Sequence, residues 1–144
     1  AMPDDELASL VAQQLKKRGT TTDERLAIIC ALFKDRCDTT VVLADWAAKF
    51  YSPIEIKPED LAQHLTDAVK PAMQTLTDKL SQSEWNKAAI ALVIKEVLST
   101  HALKMPQLAM PARVLLMGTP QTPSLDAVIS LFSKDEALKR LKSA

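Results

Sequence analysis

Two glycines in 144 residues leave this backbone almost nowhere to turn through left-handed conformations without steric cost. Folds that depend on many tight turns, and the glycine-rich loops that cradle phosphates, are therefore poorly served. The punctuation comes instead from eight prolines, which suit helix starts and the segments between helices. Apolar residues recur at three- and four-residue spacing, with few alternating β-branched runs, so the chain is expected to be all-α. Its 47% hydrophobic content and its length suffice for one domain or two small helical subdomains.

The stretch from Asp4, DDELASLVAQQLKKR, places Leu7, Leu10, Val11 and Leu15 on one face, with acids in its first turn and bases in its last, and stops at Gly19. Thr22 is the expected cap of a second helix, with Leu26, Ile29, Cys30 and Phe33 as its stripe. After a break near Asp38 and Thr39, a third helix carries Val42, Leu43, Trp46 and Phe50. SPIEIKP, residues 52–58, reads as an extended connector. Pro58 opens the next helix, and Pro71 either kinks it or starts another. Ser83 is expected to cap SQSEWNKAAIALVIKEVLSTHALK, with Trp85, Ala89, Leu92, Val93 and Val97 facing inward. Pro106 and Pro111 predict a short turn and then a helix from Pro111 to Gly118, which puts Arg113 in a first turn. A helix beginning near Pro123 and a basic tail capped at Ser133 complete some seven or eight helices. A seam near Leu98 to Pro106 divides the chain into subdomains 1–101 and 102–144.

Several classes of function find no support. No apolar run approaches the roughly 20 residues of a membrane helix, and no signal peptide opens the chain, so a cytoplasmic location is expected. Ala1 before Met2 reads as the remnant of an added tag, which suggests a piece excised from something longer. Cys30 and Cys37 would lie roughly 10 Å apart along a continuing helix, too far for a disulfide, and are read as buried thiols. His64 and His101 are isolated and suit surface or cap positions, which leaves no metal site. Asp4 and Asp5 are explained by the dipole of the helix they open. No signature of a nucleotide loop or nucleophile elbow is present, and no catalytic residue is assigned. Trp46, Trp85, Phe33, Phe50 and Phe132 fall on apolar stripes and are expected in the core, whereas Tyr51 is freer at a helix end.

Net charge is zero but unevenly spread. Residues 1–103 hold 12 Lys and Arg against 15 Asp and Glu, and residues 104–144 hold 6 against 3, so a polyanion would favour the C-terminal end. There, an arginine in a first turn conflicts with the helix dipole and points to an external anionic partner, or else to a structural pair with Asp126.

The segment KMPQLAMPARVLLMGTPQTPSLDAVISLFSKDEALKRL resembles the C-terminal anticodon-binding segment of bacterial glutamyl-tRNA synthetases. In that family a Pro-x-Arg-hydrophobic stretch ends in Gly, a Thr-Pro loop leads to a leucine-rich helix, and a basic helix closes the protein. Upstream, FKDRCDT is similar to the family's Arg-x-Asp-Thr turn, with DWAAKFYS and WNKAAIALVIKEV at matching spacing. Departures fall at Ala112, Met117 and Phe132-Ser133, positions of packing rather than of reading.

The resemblance implies two helical subdomains forming a cage around the anticodon loop of tRNA for glutamate. It implies that Arg113 reads the first anticodon base, with Thr122, Pro123 and Leu125 beside it, and that Arg36 contacts the third. Forked guanidinium groups suit the exposed edges of unpaired bases, and Leu125 could pack on their faces. Lys104, Lys139, Arg140 and Lys142 become candidates for salt-sensitive phosphate contacts. ATP and magnesium would belong to a catalytic half that these residues lack, and the piece is expected to be monomeric and unable to charge tRNA by itself. Arg36 could instead pair with Asp38, and the apolar stripes could serve a helical protein-interaction domain with no RNA role.

Overall fold

A computed structural model of the chain describes residues 3–143, and the reading of Ala1 and Met2 lies outside them. Among the described residues the regular structure is entirely helical. The elements are α1 (Asp4–Lys17), α2 (Arg25–Phe33), α3 (Thr40–Ala48), α4 (Pro58–His64), α5 (Lys70–Ser81), α6 (Lys87–His101), α7 (Met105–Met117), α8 (Leu125–Leu131) and α9 (Lys134–Leu141). A short 3-10 turn, Lys34–Arg36, follows α2.

Contacts divide the chain into two compact units, Ala1–Pro53 and Ile54–Ala144. In unit 1, α1 packs against both α2 and α3, which also touch each other. The α2 stripe is as the sequence predicts, with Leu26, Ile29, Cys30 and Phe33 all buried. The α3 stripe is shifted: Leu43, Ala44 and Ala47 are buried while Val42 is exposed. Phe33 stacks on the half-buried Trp46 with ring centroids 5.0 Å apart and meets Phe50 edge-on. Tyr51 donates its hydroxyl to Asp23 at 2.8 Å and has the Arg25 guanidinium over its ring.

Caps explain where these helices begin. Thr22 does not cap α2, whose N-cap position is Glu24; the Asp23 carboxylate just before it accepts from the Arg25 amide at 3.0 Å. Burial works against the Asp23 carboxylate, yet hydrogen bonds from Tyr51 and Arg25 prevail and hold it below its usual range. Thr39 caps α3 by accepting from the Val42 amide at 3.1 Å, as the predicted break requires. Cys37 lies beyond the helix in extended backbone, half-buried rather than buried, and neither cysteine is in a disulfide. Burial, then Asp38, pushes the Cys37 thiol up.

The division at Pro53 corrects the expected one at 101/102. In unit 2, α6 packs against α5 and α8, and α9 packs against α5 and α7, so helices on both sides of residue 101 share one core. The segment from Leu98 to Pro106 is a tight corner. Ala102 ends α6 in the left-handed conformation, and Pro106 lies in the first turn of α7. Turn signals mark the ends of elements, and they separate domains only where few contacts cross. Pro71 restarts the chain as α5, Asn86 rather than Ser83 caps α6, and Ser133 caps α9 as expected. The buried face of α6 is Ile90, Val93, Ile94 and Val97, leaving Leu92 exposed.

Ala102 holds φ at 53°, a region costly for a residue with a Cβ. Ala102→Gly is expected to raise stability by about 0.5 to 1 kcal/mol, the relief of strain exceeding the added freedom of the unfolded chain. A urea midpoint equal to or below that of the parent would refute this.

Candidate nucleic-acid interface

Arg113 sits on α7, which is built differently from the sequence expectation. Pro111 does not open a new helix; it lies inside a continuous helix from Met105 to Met117. An interior proline forfeits one backbone hydrogen bond and crowds the preceding turn, at about 3 kcal/mol. Here its ring is buried among a run of buried neighbours, Leu108, Ala109, Ala112, Val114, Leu115 and Leu116, which offsets that cost. Arg113 is therefore in the third turn, away from the positive end of the helix, and no conflict with the dipole arises there. What distinguishes it is burial: the side chain is half-buried, with its Nε out of contact with solvent.

α7 ends as predicted, with Gly118 at φ 75°. The loop that follows returns the chain to α8, which begins at Leu125. That return brings Leu125 to Arg113. Both line a cavity of about 270 Å³, together with Ser124 and Asp126 from the start of α8, Met105 from α7, and Ala91 and Ile94 from α6. The cavity thus joins a donor-only guanidinium, a carboxylate and apolar wall. Asp126 also accepts from the Ala127 amide at 2.8 Å.

Thr122 and Pro123 are placed otherwise. Both are buried, and the Thr122 hydroxyl donates to the Pro123 carbonyl at 2.8 Å, so they shape the loop rather than line the cavity. Leu125 is also buried, though on the cavity wall. Arg36 is exposed at the end of the 3-10 turn in unit 1.

Of the four basic residues, Lys104, Lys139 and Lys142 are exposed. Arg140 is not, and it is withdrawn from the phosphate candidates. It is buried, donates from its terminal nitrogen to the Leu116 carbonyl at 2.8 Å and from Nε to Glu136 at 3.4 Å, and lies over the Phe132 ring. Burial lowers its proton affinity and Glu136 opposes that shift. Arg140 ties α9 to α7.

Ser124 and Met105 join the cavity although the sequence assigns them no role. Both are exposed, and neither carries a motif that marks it in the sequence. Of the departures, Ala112, Met117 and Phe132 are buried, as packing positions should be, whereas Ser133 is exposed and caps α9. His101 lies 2.8 Å from the Thr75 hydroxyl through Nε2, and Trp85 donates to the Phe132 carbonyl at 2.8 Å.

A family model described as an anticodon binding domain matches residues 6–144. The chain is 60% identical over 142 residues to a glutamate–tRNA ligase of Albidiferax ferrireducens, covering 99% of this chain and 31% of that protein. It is 58% identical over 140 residues to the corresponding ligase of Leptothrix cholodnii, covering 95% of this chain and 30% of that one. The chain thus spans less than a third of the length of these curated relatives. Its fold is similar to that in a crystal structure of a glutamate tRNA ligase from Elizabethkingia meningosepticum, with a TM-score of 0.88 at 20% identity, over 97% of this chain and 28% of that one. With the family match extending over both compact units and through the Arg113 cavity, the chain belongs to the anticodon binding domain family.

Proposed function

We propose that this chain recognises the anticodon loop of tRNA for glutamate on behalf of a ligase that joins glutamate to that tRNA with ATP. The observation that carries the reading is the cavity in which Arg113 and Leu125 meet within an anticodon binding domain. An unpaired loop base has a polar edge for the guanidinium and apolar faces for aliphatic wall, and the cavity offers both chemistries. Arg113 reads the first anticodon base. Arg36, exposed and on the other unit, contacts the third. Lys104, Lys139 and Lys142 hold phosphates, a term that positions the RNA without reading it. ATP and magnesium act in the remainder of the ligase, in the cytoplasm, and this chain supplies recognition alone.

The test is binding to the anticodon stem-loop of tRNA for glutamate at two salt concentrations. Arg113→Ala is expected to cost about 1 to 3 kcal/mol and to relax selectivity at the first anticodon base, and Arg36→Ala to do so at the third. Changing any one of the three lysines to alanine should weaken binding to every sequence alike and reduce the salt slope by about 1. Binding that ignores salt and both arginines, in a folded protein, would sink the reading and favour a protein partner.

A further inference from the structure

The Arg113 cavity carries one large apolar side chain that faces water. Met105, the first residue of α7, is 47% exposed and lines the cavity, while Leu125 on the same cavity is 3% exposed. Single exposed apolar residues are common and mean little by themselves. Leu92 is such a residue, 68% exposed and not among those lining the cavity. Met105 differs in its setting, because it shares a concave wall with a half-buried guanidinium.

An unstacked base has two kinds of surface to satisfy, a hydrogen-bonding edge and two polarisable faces. Arg113 suits the edge. For the faces, this cavity has no aromatic side chain in its lining, and the buried Leu125 has little area left to cover. A methionine is unbranched, adapts its shape, and places a polarisable sulfur against ring systems favourably. Its exposed position at the start of the helix leaves it area to cover the face of an entering base.

We propose that Met105 is the side chain on which the base held by Arg113 packs, with Leu125 as the buried wall; this assignment rests on the anticodon reading above. The occupant is an unpaired nucleobase of an RNA loop. Packing of this kind tolerates any base, so Met105 contributes affinity while Arg113 contributes selectivity.

The experiment uses this chain with Met105→Ala, Met105→Leu and Leu92→Ala, and two RNAs: the anticodon stem-loop, and the same stem-loop with an abasic nucleotide at the first anticodon position. Met105→Ala is expected to weaken binding of the intact loop by roughly two- to tenfold, to leave the salt slope unchanged because no charge is lost, and to have no further effect on the abasic loop. Met105→Leu should retain most of the affinity, and Leu92→Ala all of it. An equal loss on both RNAs would overturn the proposal by showing that Met105 acts on the fold or the RNA backbone. So would an unaffected intact loop under conditions where Arg113→Ala still weakens binding. If wild type binds no stem-loop, or Arg113→Ala changes nothing, the anticodon reading itself falls and takes this assignment with it.

Discussion

Gly118→Ala is expected to destabilise the protein by about 3 kcal/mol or more, lowering the urea midpoint substantially. Two costs combine. The residue holds φ at 75°, where a Cβ is strained at about 1 to 2 kcal/mol. A Cβ built there would also lie 2.6 Å from the Glu55 carbonyl oxygen, a backbone atom that cannot rotate aside. Gly19 supplies the control. It has a similar φ of 79° but nothing within 4 Å of the added carbon, so Gly19→Ala should show the strain without the clash. Equal losses at the two sites would refute the close approach to Glu55. The glycine scarcity of the sequence thus has a counterpart in the fold, since both glycines occupy left-handed backbone.

Arg140→Ala is expected to cost about 2 to 3 kcal/mol in unfolding free energy. The variant leaves the buried Leu116 carbonyl without its charged donor, worth about 1.5 to 3 kcal/mol, and removes the cation over the Phe132 ring, 4.6 Å from its centroid. The ion pair with half-exposed Glu136 adds little. Arg140→Lys should recover only part of the loss, because an ammonium cannot lie flat on the ring while donating to the carbonyl. A variant as stable as the parent, or full recovery by lysine, would contradict this account. By contrast, Lys139→Ala on the exposed side of the same helix should leave stability nearly unchanged.

Arg140 also shows how charge can mask a buried face in a sequence. Ala137, Arg140 and Leu141 occupy one face of α9 at helical spacing, and all three are buried. The basic residues of KDEALKRLKSA give it the look of a solvated tail and mask that face. Elsewhere local signals sufficed. The break near Thr39, Ser133 as a cap, Gly118 as a helix end and the stripe of α2 as core are all legible, because each depends on residues within a few positions. Long-range packing was not legible in the same way. AAIALVIKEVL is apolar on more than one face, and the choice of Ile90 and Ile94 over Leu92 depends on where α5 and α8 lie. The interior place of Pro111 is illegible for a similar reason, since an interior proline survives only where its surroundings offset the loss.

Of the candidate site, Arg113 is marked by resemblance alone once the helix-dipole ground falls with the continuous α7. Its meeting with Leu125 requires the loop to return, and the burial of Thr122 and Pro123 is a property of that return rather than of their residue types.

The approach of Glu55 to Gly118 bears on how unit 2 could be dissected. The unit begins at Ile54, yet its first helix begins only at Pro58, and the four residues between have no regular structure. They would be natural to discard as linker. The Glu55 carbonyl and the Ile54 side chain nevertheless flank the end of α7, the helix that carries Arg113. A truncation beginning at Pro58 would strip that flank from α7, whereas one beginning at Ile54 would keep it, so the stretch that reads as spacer is structurally part of what it introduces.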